Sequence, residues 1–323
     1  MAWAERGGTT PAVADRGPDR TSIAAVIAEY DEPANSLERT VRGILGQTRL
    51  PDHVILVDDA SPTAPRLAED LLERVDVIVL ANNGGPSVAR NRGASATGGD
   101  YLLFVDCDVI LEPNWVQDAV AFMSAHEKAG AVSGRIVPVS GPRLLRRWYL
   151  HFIVPKVHRS RMTAPIRVTQ TGSTPAGKPA ASWILGVWFV RRAAFEAIGG
   201  FDPRLRLRGE DWDFSRRLLD AGYDLYYLPE LFAEGREHLS IGVLARKSLR
   251  NAGWDLRRIE GESSPEVRPF RLPAAFASVL GSLAQRSGRN LVRRRFSLLP
   301  VDFAIALYGL VLVSRAWLES RLG

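Results

Sequence analysis

The segment Gly98-Gly99-Asp100-Tyr101-Leu102-Leu103-Phe104-Val105-Asp106-Cys107-Asp108 constrains this chain more than any other. Five consecutive apolar or aromatic residues, Tyr101 to Val105, follow a glycine pair. That predicts a short strand buried on both faces, inside a parallel sheet. Burial then stops at two carboxylates. In a strand that continued through them, Asp106 and Asp108 would share one face and Cys107 would take the other. Two acids so placed repel unless a cation lies between or beside them, and a hard divalent ion carrying a diphosphate suits that geometry. The carboxyl end of a strand in an open α/β sheet is also where ligands bind. Read without its neighbours, the segment is only a strand ending in two solvated acids.

The preceding residues supply the neighbours. Ser22 to Tyr30 predicts a first strand ending in Glu29, Tyr30 and Asp31. Asn35 with Glu38 resembles a capping box, and the helix behind it sets Leu37, Val41, Ile44 and Leu45 on one face. A second strand, His53 to Val57, runs into Asp58, Asp59 and Ser61; Leu67, Leu71 and Leu72 mark a helix, and Val75 to Leu80 a third strand. Asn82-Asn83-Gly84-Gly85-Pro86 is a turn opening a helix at Ser87 that carries Arg90, Asn91 and Arg92. Strand and helix thus alternate up to Asp108, the pattern of a doubly wound parallel sheet. Two of its strands end in clustered acids, whose mutual repulsion implies a cation or a hydrogen-bonding ligand.

Further on, a helix over Trp115 to Lys128 leads to a strand near Ala131 to Val139. Gly141 to Ala181 has no Asp or Glu and reads as a long loop with a helix around Leu144 to Ile153. Ser182 to Val190 is again apolar, Gly199 to Pro203 is a turn, and Gly209-Glu210-Asp211-Trp212-Asp213 begins a helix whose early acids suit its dipole. Leu225 to Leu228 is a last short strand, with His238 in a polar loop beyond it.

Composition narrows the class. At 323 residues the chain can bury a full core with an appendage, and 46% hydrophobic residues are too few for a polytopic membrane protein. A single cysteine excludes an internal disulfide and a cysteine-based zinc site, as in a reducing cytoplasm. Residues 1–20 have no apolar core and are expected to be a disordered tail, not a secretory signal. The net charge of +6 resides in Arg271 to Gly323, which holds eight arginines and two acids.

Taken together, AVIAEYD, VILVDDASP, NNGGPSVARNRG, FVDCD, GGFDP and GEDWDFSRRLLDAGY, with EHLS following, resemble the family 2 glycosyltransferases of GT-A fold over roughly Ser22 to Ile259. Each motif alone is weak; their shared order and spacing carry the resemblance. It implies a Rossmann-like, mostly parallel sheet flanked by helices over residues 21–240, with a C-terminal helical region over 241–323. It implies that Asp58 and Asp59 hold the nucleotide base and ribose, with Ala28 and Tyr30 walling the base and Arg90 beside the nucleotide. By the same resemblance, Asp106 and Asp108 bind Mg2+ or Mn2+ on the diphosphate, Asp211 is the catalytic base with Glu210 beside it, and His238 completes the metal site. The first strand departs from the pattern: Ala28-Glu29-Tyr30-Asp31 stands where proline, a variable residue, an aromatic and asparagine are common. Cys107 reads as a packing residue, since an apolar neighbourhood disfavours the thiolate.

The expected activity is inverting, metal-dependent transfer from a UDP-, GDP- or dTDP-sugar to a hydroxyl acceptor, a lipid-linked one included. A metal neutralises the leaving diphosphate, and a carboxylate on the other face of the sugar takes the acceptor's proton. Two other classes remain open. A nucleotidyltransferase would want a glycine-rich basic loop after the first strand, where Glu29-Tyr30-Asp31-Glu32 stands. A basic nucleic-acid-binding module would not need acid clusters that repel phosphate, so nucleic acid is not an expected partner. The basic loop over 141–181 favours a phosphate-bearing acceptor, against the alternative of a solvated loop.

At the C-terminus, Leu298 to Val313 spans about 16 residues and holds Asp302, shorter than the roughly 20 a spanning helix needs. With Leu272 to Leu283 and the intervening arginines, it suits a peripheral contact with the inner face of the cell membrane. A helical appendage packed on the catalytic domain, or a dimer contact, is the alternative.

Overall fold

The computed structural model describes residues 21–138, 141–152, 165–168, 186–206, 209–235, 239–251 and 272–322. The expected tail over 1–20, His238 and most of the acid-free loop lie outside those residues.

Four apolar strands form the parallel half of the sheet: β1 (Ile23–Glu29), β2 (His53–Asp58), β3 (Asp76–Val79) and β4 (Tyr101–Asp106), in the order β3-β2-β1-β4. They are linked by α1 (Ala34–Leu45), the single turn α2 (Glu69–Leu72) and α3 (Pro86–Ser95). Strand alternation divides the core between two faces. Ile23, Ala25 and Ile27 pack with Leu37, Val41 and Ile44 of α1, whereas Ala24 and Val26 pack with Ala89 and Ala94 of α3. Gly93 permits the latter contact, because a Cβ there would overlap the Val26 side chain. The strand order reverses between β1 and β4, so the crevice beyond their carboxyl ends is the topological switch point of the sheet.

The expected capping box does not form. Pro33 precedes α1 with no side-chain cap, and Glu38 instead accepts a hydrogen bond from the Ala68 backbone at 2.8 Å. Nor does β4 continue through Asp108. The strand stops at Asp106, and Cys107 and Asp108 form a turn into β5 (Val109–Leu111), so the shared strand face expected for the two acids is replaced by a turn.

The second half of the sheet is mixed. After α4 (Trp115–Ala125) come β6 (Ala129–Pro138), α5 (Arg143–Phe152), β7 (Ile166–Val168), β8 (Val187–Arg191), α6 (Arg192–Ala197), α7 (Glu210–Asp220) and β9 (Asp224–Gly235). The strand order is β3-β2-β1-β4-β8-β6-β9-β5, with β7 also on β9. β8 lies antiparallel to both β4 and β6. The strand expected over Leu225 to Leu228 is in fact twelve residues long. It pairs with β6 along its length, with a register shift after Leu228, and its last residues, Ala233 to Gly235, also pair with β5 on the other edge; Gly134 leaves room for the bulge at Leu231.

The C-terminal region is helical: α8 (Ile241–Asn251), α9 (Leu272–Val292), a 3₁₀ turn (Phe296–Leu298) and α10 (Leu299–Leu322). Leu298, Val301 and Ile305 pack with Leu145 and Trp148 of α5 and with Leu244 of α8. α10 is longer than its apolar stretch suggested. Phe296–Leu318, with mean hydropathy 2.1, is long and apolar enough to cross a membrane by length and composition. Its acid, Asp302, is fully buried and accepts hydrogen bonds from Trp148 Nε1 and Asn290 Nδ2, both at 2.7 Å.

Candidate active site

Parallel pairing sets three acids at one edge. Glu29 is in register with Asp58 across β1 and β2, and Ala28 with Asp106 across β1 and β4. Tyr30, one residue beyond, is exposed. Glu29 and Asp58 are nearly fully buried, and backbone groups offset much of their repulsion. Asp58 Oδ1 accepts from the Ser61 N–H at 2.8 Å. Glu29 accepts from the Ser61 hydroxyl at 3.1 Å and from the Glu32 N–H at 3.3 Å. Burial, with the Asp58 charge as a smaller cause, pushes the Glu29 carboxyl up to about 7.

Asp59 is also buried and grips the turn ahead of α3. Its two oxygens accept from the Gly84 and Gly85 N–H groups, both at 2.7 Å. Burial raises its pKa, and those two N–H groups oppose the rise. The clustered acids at 58 and 59 are therefore reconciled by hydrogen bonds, with no cation required between them.

Arg90 links the motifs that are distant in sequence. Its Nη2 donates to Asp106 Oδ1 at 2.8 Å and its Nη1 to Glu210 Oε1 at 3.3 Å. Its guanidinium lies over the Phe201 ring, 5.3 Å from the centroid. Next to it, Asn91 donates to the Phe201 carbonyl at 2.7 Å and accepts from the Phe201 N–H at 2.9 Å. Gly200 adopts φ +73°, and a Cβ there would meet Asn91 Oδ1 and the Phe195 ring. The Arg90-Asn91 pair and the Gly199-Gly200-Phe201 turn thus belong to one structural unit. Ser87 donates to the Leu205 carbonyl at 3.0 Å, holding the chain that leads into α7 against α3.

That docking places Glu210 and Asp211, the first residues of α7, beside β4. Burial, then the Glu210 charge, pushes the Asp211 carboxyl up to about 6; the Trp212 N–H and the Arg90 charge oppose the rise, and the Asp106 charge adds to it. Asp106, Arg90, Glu210 and Asp211 therefore form one electrostatic cluster. Cys107 packs against the core, and burial drives its thiol pKa well up, which makes it inert.

The donor set suits a hard divalent cation. The Asp106 side chain is 40% exposed, whereas Arg90 behind it is 9% exposed. Asp106 Oδ2 borders the space above Gly186, where a Cβ would come within 3.3 Å of it. Asp108 follows two residues on, in the turn between β4 and β5. No group of three or more His, Cys, Asp or Glu residues able to hold a metal occurs among the described residues. Mg2+-type sites need only one or two carboxylates when substrate phosphates complete the shell, so the residues present fit.

A mixed sheet with a parallel half and an acidic cluster at its switch point is a GT-A type of fold. Residues 24–197, more than half of the chain, match the family model described as glycosyl transferase family 2. The chain belongs to that family. It is 27% identical over 269 residues to the N-acetylglucosaminyl-diphospho-decaprenol L-rhamnosyltransferase of Mycobacterium tuberculosis, covering 72% of this chain and 87% of that protein. It is 31% identical over 230 residues to mouse polypeptide N-acetylgalactosaminyltransferase 12, covering 63% of this chain and 37% of the other. The chain thus spans well under half the length of that longer relative. Among solved structures it resembles the mannosyltransferase PcManGT from Pyrobaculum calidifontis in complex with GDP-Man and Mn2+ (TM-score 0.51, 16% identity, covering 90% of this chain and 87% of that one). It also resembles GalNAc-T7 with UDP, GalNAc and Mn2+ (TM-score 0.51, 19% identity, 69% and 45% covered).

Two participants escaped the sequence reading. Glu29 entered it as a strand-end acid and a departure from a motif but not as a site residue, because its significance lies in its register with Asp58. Gly186 sat unnoticed in an apolar run, and its φ of +67° beside Asp106 has no sequence signature.

Proposed function

We propose that the chain is an inverting, metal-dependent glycosyltransferase moving a hexose from a nucleotide-diphosphate sugar to the hydroxyl of a lipid-linked acceptor. Its catalytic unit is residues 21–240. The observation that carries the reading is the Arg90 bridge, which joins the end of β4 to the start of α7. Asp106 and Asp108 would hold Mg2+ or Mn2+, which when bound neutralises the leaving diphosphate. Asp211, with its pKa of about 6, is ionised at neutral pH yet basic enough to accept the acceptor's proton. Glu210 holds Arg90, and Arg90 holds Asp106 from its buried side. Asp58 and Asp59, with Ala28 and Tyr30 at the neighbouring strand end, build the base and ribose side of the pocket.

The lipid-linked acceptor is supported by likeness to a relative named for a diphospho-decaprenol substrate. With such an acceptor we infer an enzyme on the cytoplasmic side, peripheral to the membrane. The test is thermal unfolding against a panel of UDP-, GDP- and dTDP-sugars with Mn2+, followed by nucleotide release with the stabilising donor. One donor should raise the midpoint only with metal present. No stabilisation by any donor would refute the reading.

A further inference from the structure

We propose that the outward face of α10 docks on an anionic phospholipid bilayer, with the helix lying in the interface and not crossing it. This rests on the C-terminal helices alone and stands apart from the donor chemistry. Phe296, Pro300, Phe303, Leu307, Val311, Ser314 and Leu318 recur at spacings of four and three, so they form a single stripe. All but Ser314 are exposed. At 1.5 Å per residue the stripe is about 33 Å long. Exposed apolar surface so continuous marks an interaction site.

Charge selects the occupant. At the stripe's N-terminal end, Val292 is 85% exposed and Phe296 59%, and the exposed Arg293 and Arg294 lie between them. Arg289 is exposed one turn earlier, and Asp302, the acid nearest this end in sequence, is buried. Apolar side chains interleaved with arginines suit acyl chains beneath anionic headgroups. A second copy docked over this end about a two-fold axis through it would bring these arginines against their own equivalents.

The opposite face excludes a spanning helix. Val301, Asp302, Ile305, Ala306, Val313 and Ala316 are buried against the protein. Asp302 is held by Trp148 and Asn290, with Arg286 Nε 3.7 Å away. Crossing the bilayer would carry Asp302 into hydrocarbon, or strip α10 from the core around Trp148 and Leu244.

The test floats the full chain with phosphatidylcholine vesicles with and without phosphatidylglycerol. The protein should float only with the anionic vesicles. Leu307→Glu/Val311→Glu should lower the bound fraction at least tenfold, and Arg293→Glu/Arg294→Glu should do so in a salt-sensitive manner, with thermal unfolding unchanged in both. Failure of the wild type to float, or flotation of the Glu variants like the wild type, overturns the proposal. So does a wild-type dimer that both variants dissociate and that binds no lipid. In sealed inside-out membrane vesicles, a tag after Gly323 should be removed by added protease; a protected tag means that α10 crosses.

Discussion

Arg90 Nη2 meets Asp106 Oδ1 at 2.8 Å, so one oxygen of the candidate metal ligand is committed to a buried cation that also holds Glu210. The arginine expected beside the nucleotide is a strut between the two halves of the site. Arg90→Ala leaves Glu210 and Asp106 without their counter-charge. Breaking a fully buried pair costs about 3–5 kcal/mol, and the exposure of Asp106 reduces this to roughly 2 kcal/mol. Arg90→Lys keeps the charge but not the two-pronged reach, and is expected to lose activity while recovering much of the stability. Urea midpoints and transfer rates on the two variants separate these effects. Equal stability of Arg90→Ala and wild type would contradict the strut.

Asp211 acts as a base only when ionised. With its pKa at about 6, the rate should climb as pH rises through 6 and level off above neutrality. Arg90 lowers that pKa, so the acid limb should move to higher pH in Arg90→Ala. Asp211→Asn is nearly isosteric, should keep donor binding, and should lose about 10²–10⁴-fold in kcat, the usual contribution of a general base. An unchanged acid limb in Arg90→Ala would dissociate the two residues.

Glu29 makes stability pH-dependent in an unusual direction. Its folded pKa of about 7 lies above the ordinary 4.5, so the native state keeps a proton that the unfolded chain releases between those values. Stability therefore falls as pH rises through that window. Gln at 29 cannot ionise. Glu29→Gln should thus gain on the order of 1–2 kcal/mol over wild type above pH 7, less than the full shift because the amide is itself buried. Near pH 4.5 the advantage should vanish. Melting curves at pH 5 and pH 8 decide it: equal differences at both would refute the titration.

Asp59 is a clamp as well as a pocket wall. Asp59→Ala leaves the Gly84 and Gly85 N–H groups without their acceptor. Each buried orphan costs about 1–3 kcal/mol, so a loss of roughly 2–4 kcal/mol is expected. Asp59→Asn keeps one acceptor oxygen and should lose about half as much. Chemical denaturation of both variants tests the ordering.

The parallel half of the sheet was legible because its strands are apolar on both faces, which leaves Ile23–Glu29 and Tyr101–Asp106 little else to be. The helix starting at Glu210 was equally plain from its glycine and early acids. Relations across the sheet were not. That Glu29 lies level with Asp58 depends on strand register, and that Asp59 binds Gly84 and Gly85 depends on where a turn folds back. Cys107 and Asp108 read as a continuing strand because nothing local marks the turn. The buried Asp302 looked like a defect in an apolar stretch, since its partners Trp148 and Asn290 lie 154 and 12 residues away.

The metal prediction follows from how few candidate ligands the described residues offer. Asp106 and Asp108 would provide two carboxylates, and Asp106 already shares an oxygen with Arg90. A cation held by so few groups should bind weakly alone and tightly only with a diphosphate. Mn2+ by itself should barely move the melting temperature, and a nucleoside diphosphate without metal should do little more. The two together should stabilise by about 2.7 kcal/mol when the ligand stands at 100 times its Kd. A chelator should abolish the joint effect, and Asp106→Ala and Asp108→Ala should each remove it without lowering the unliganded melting temperature by more than a few degrees. Full joint stabilisation in Asp108→Ala would place the cation elsewhere.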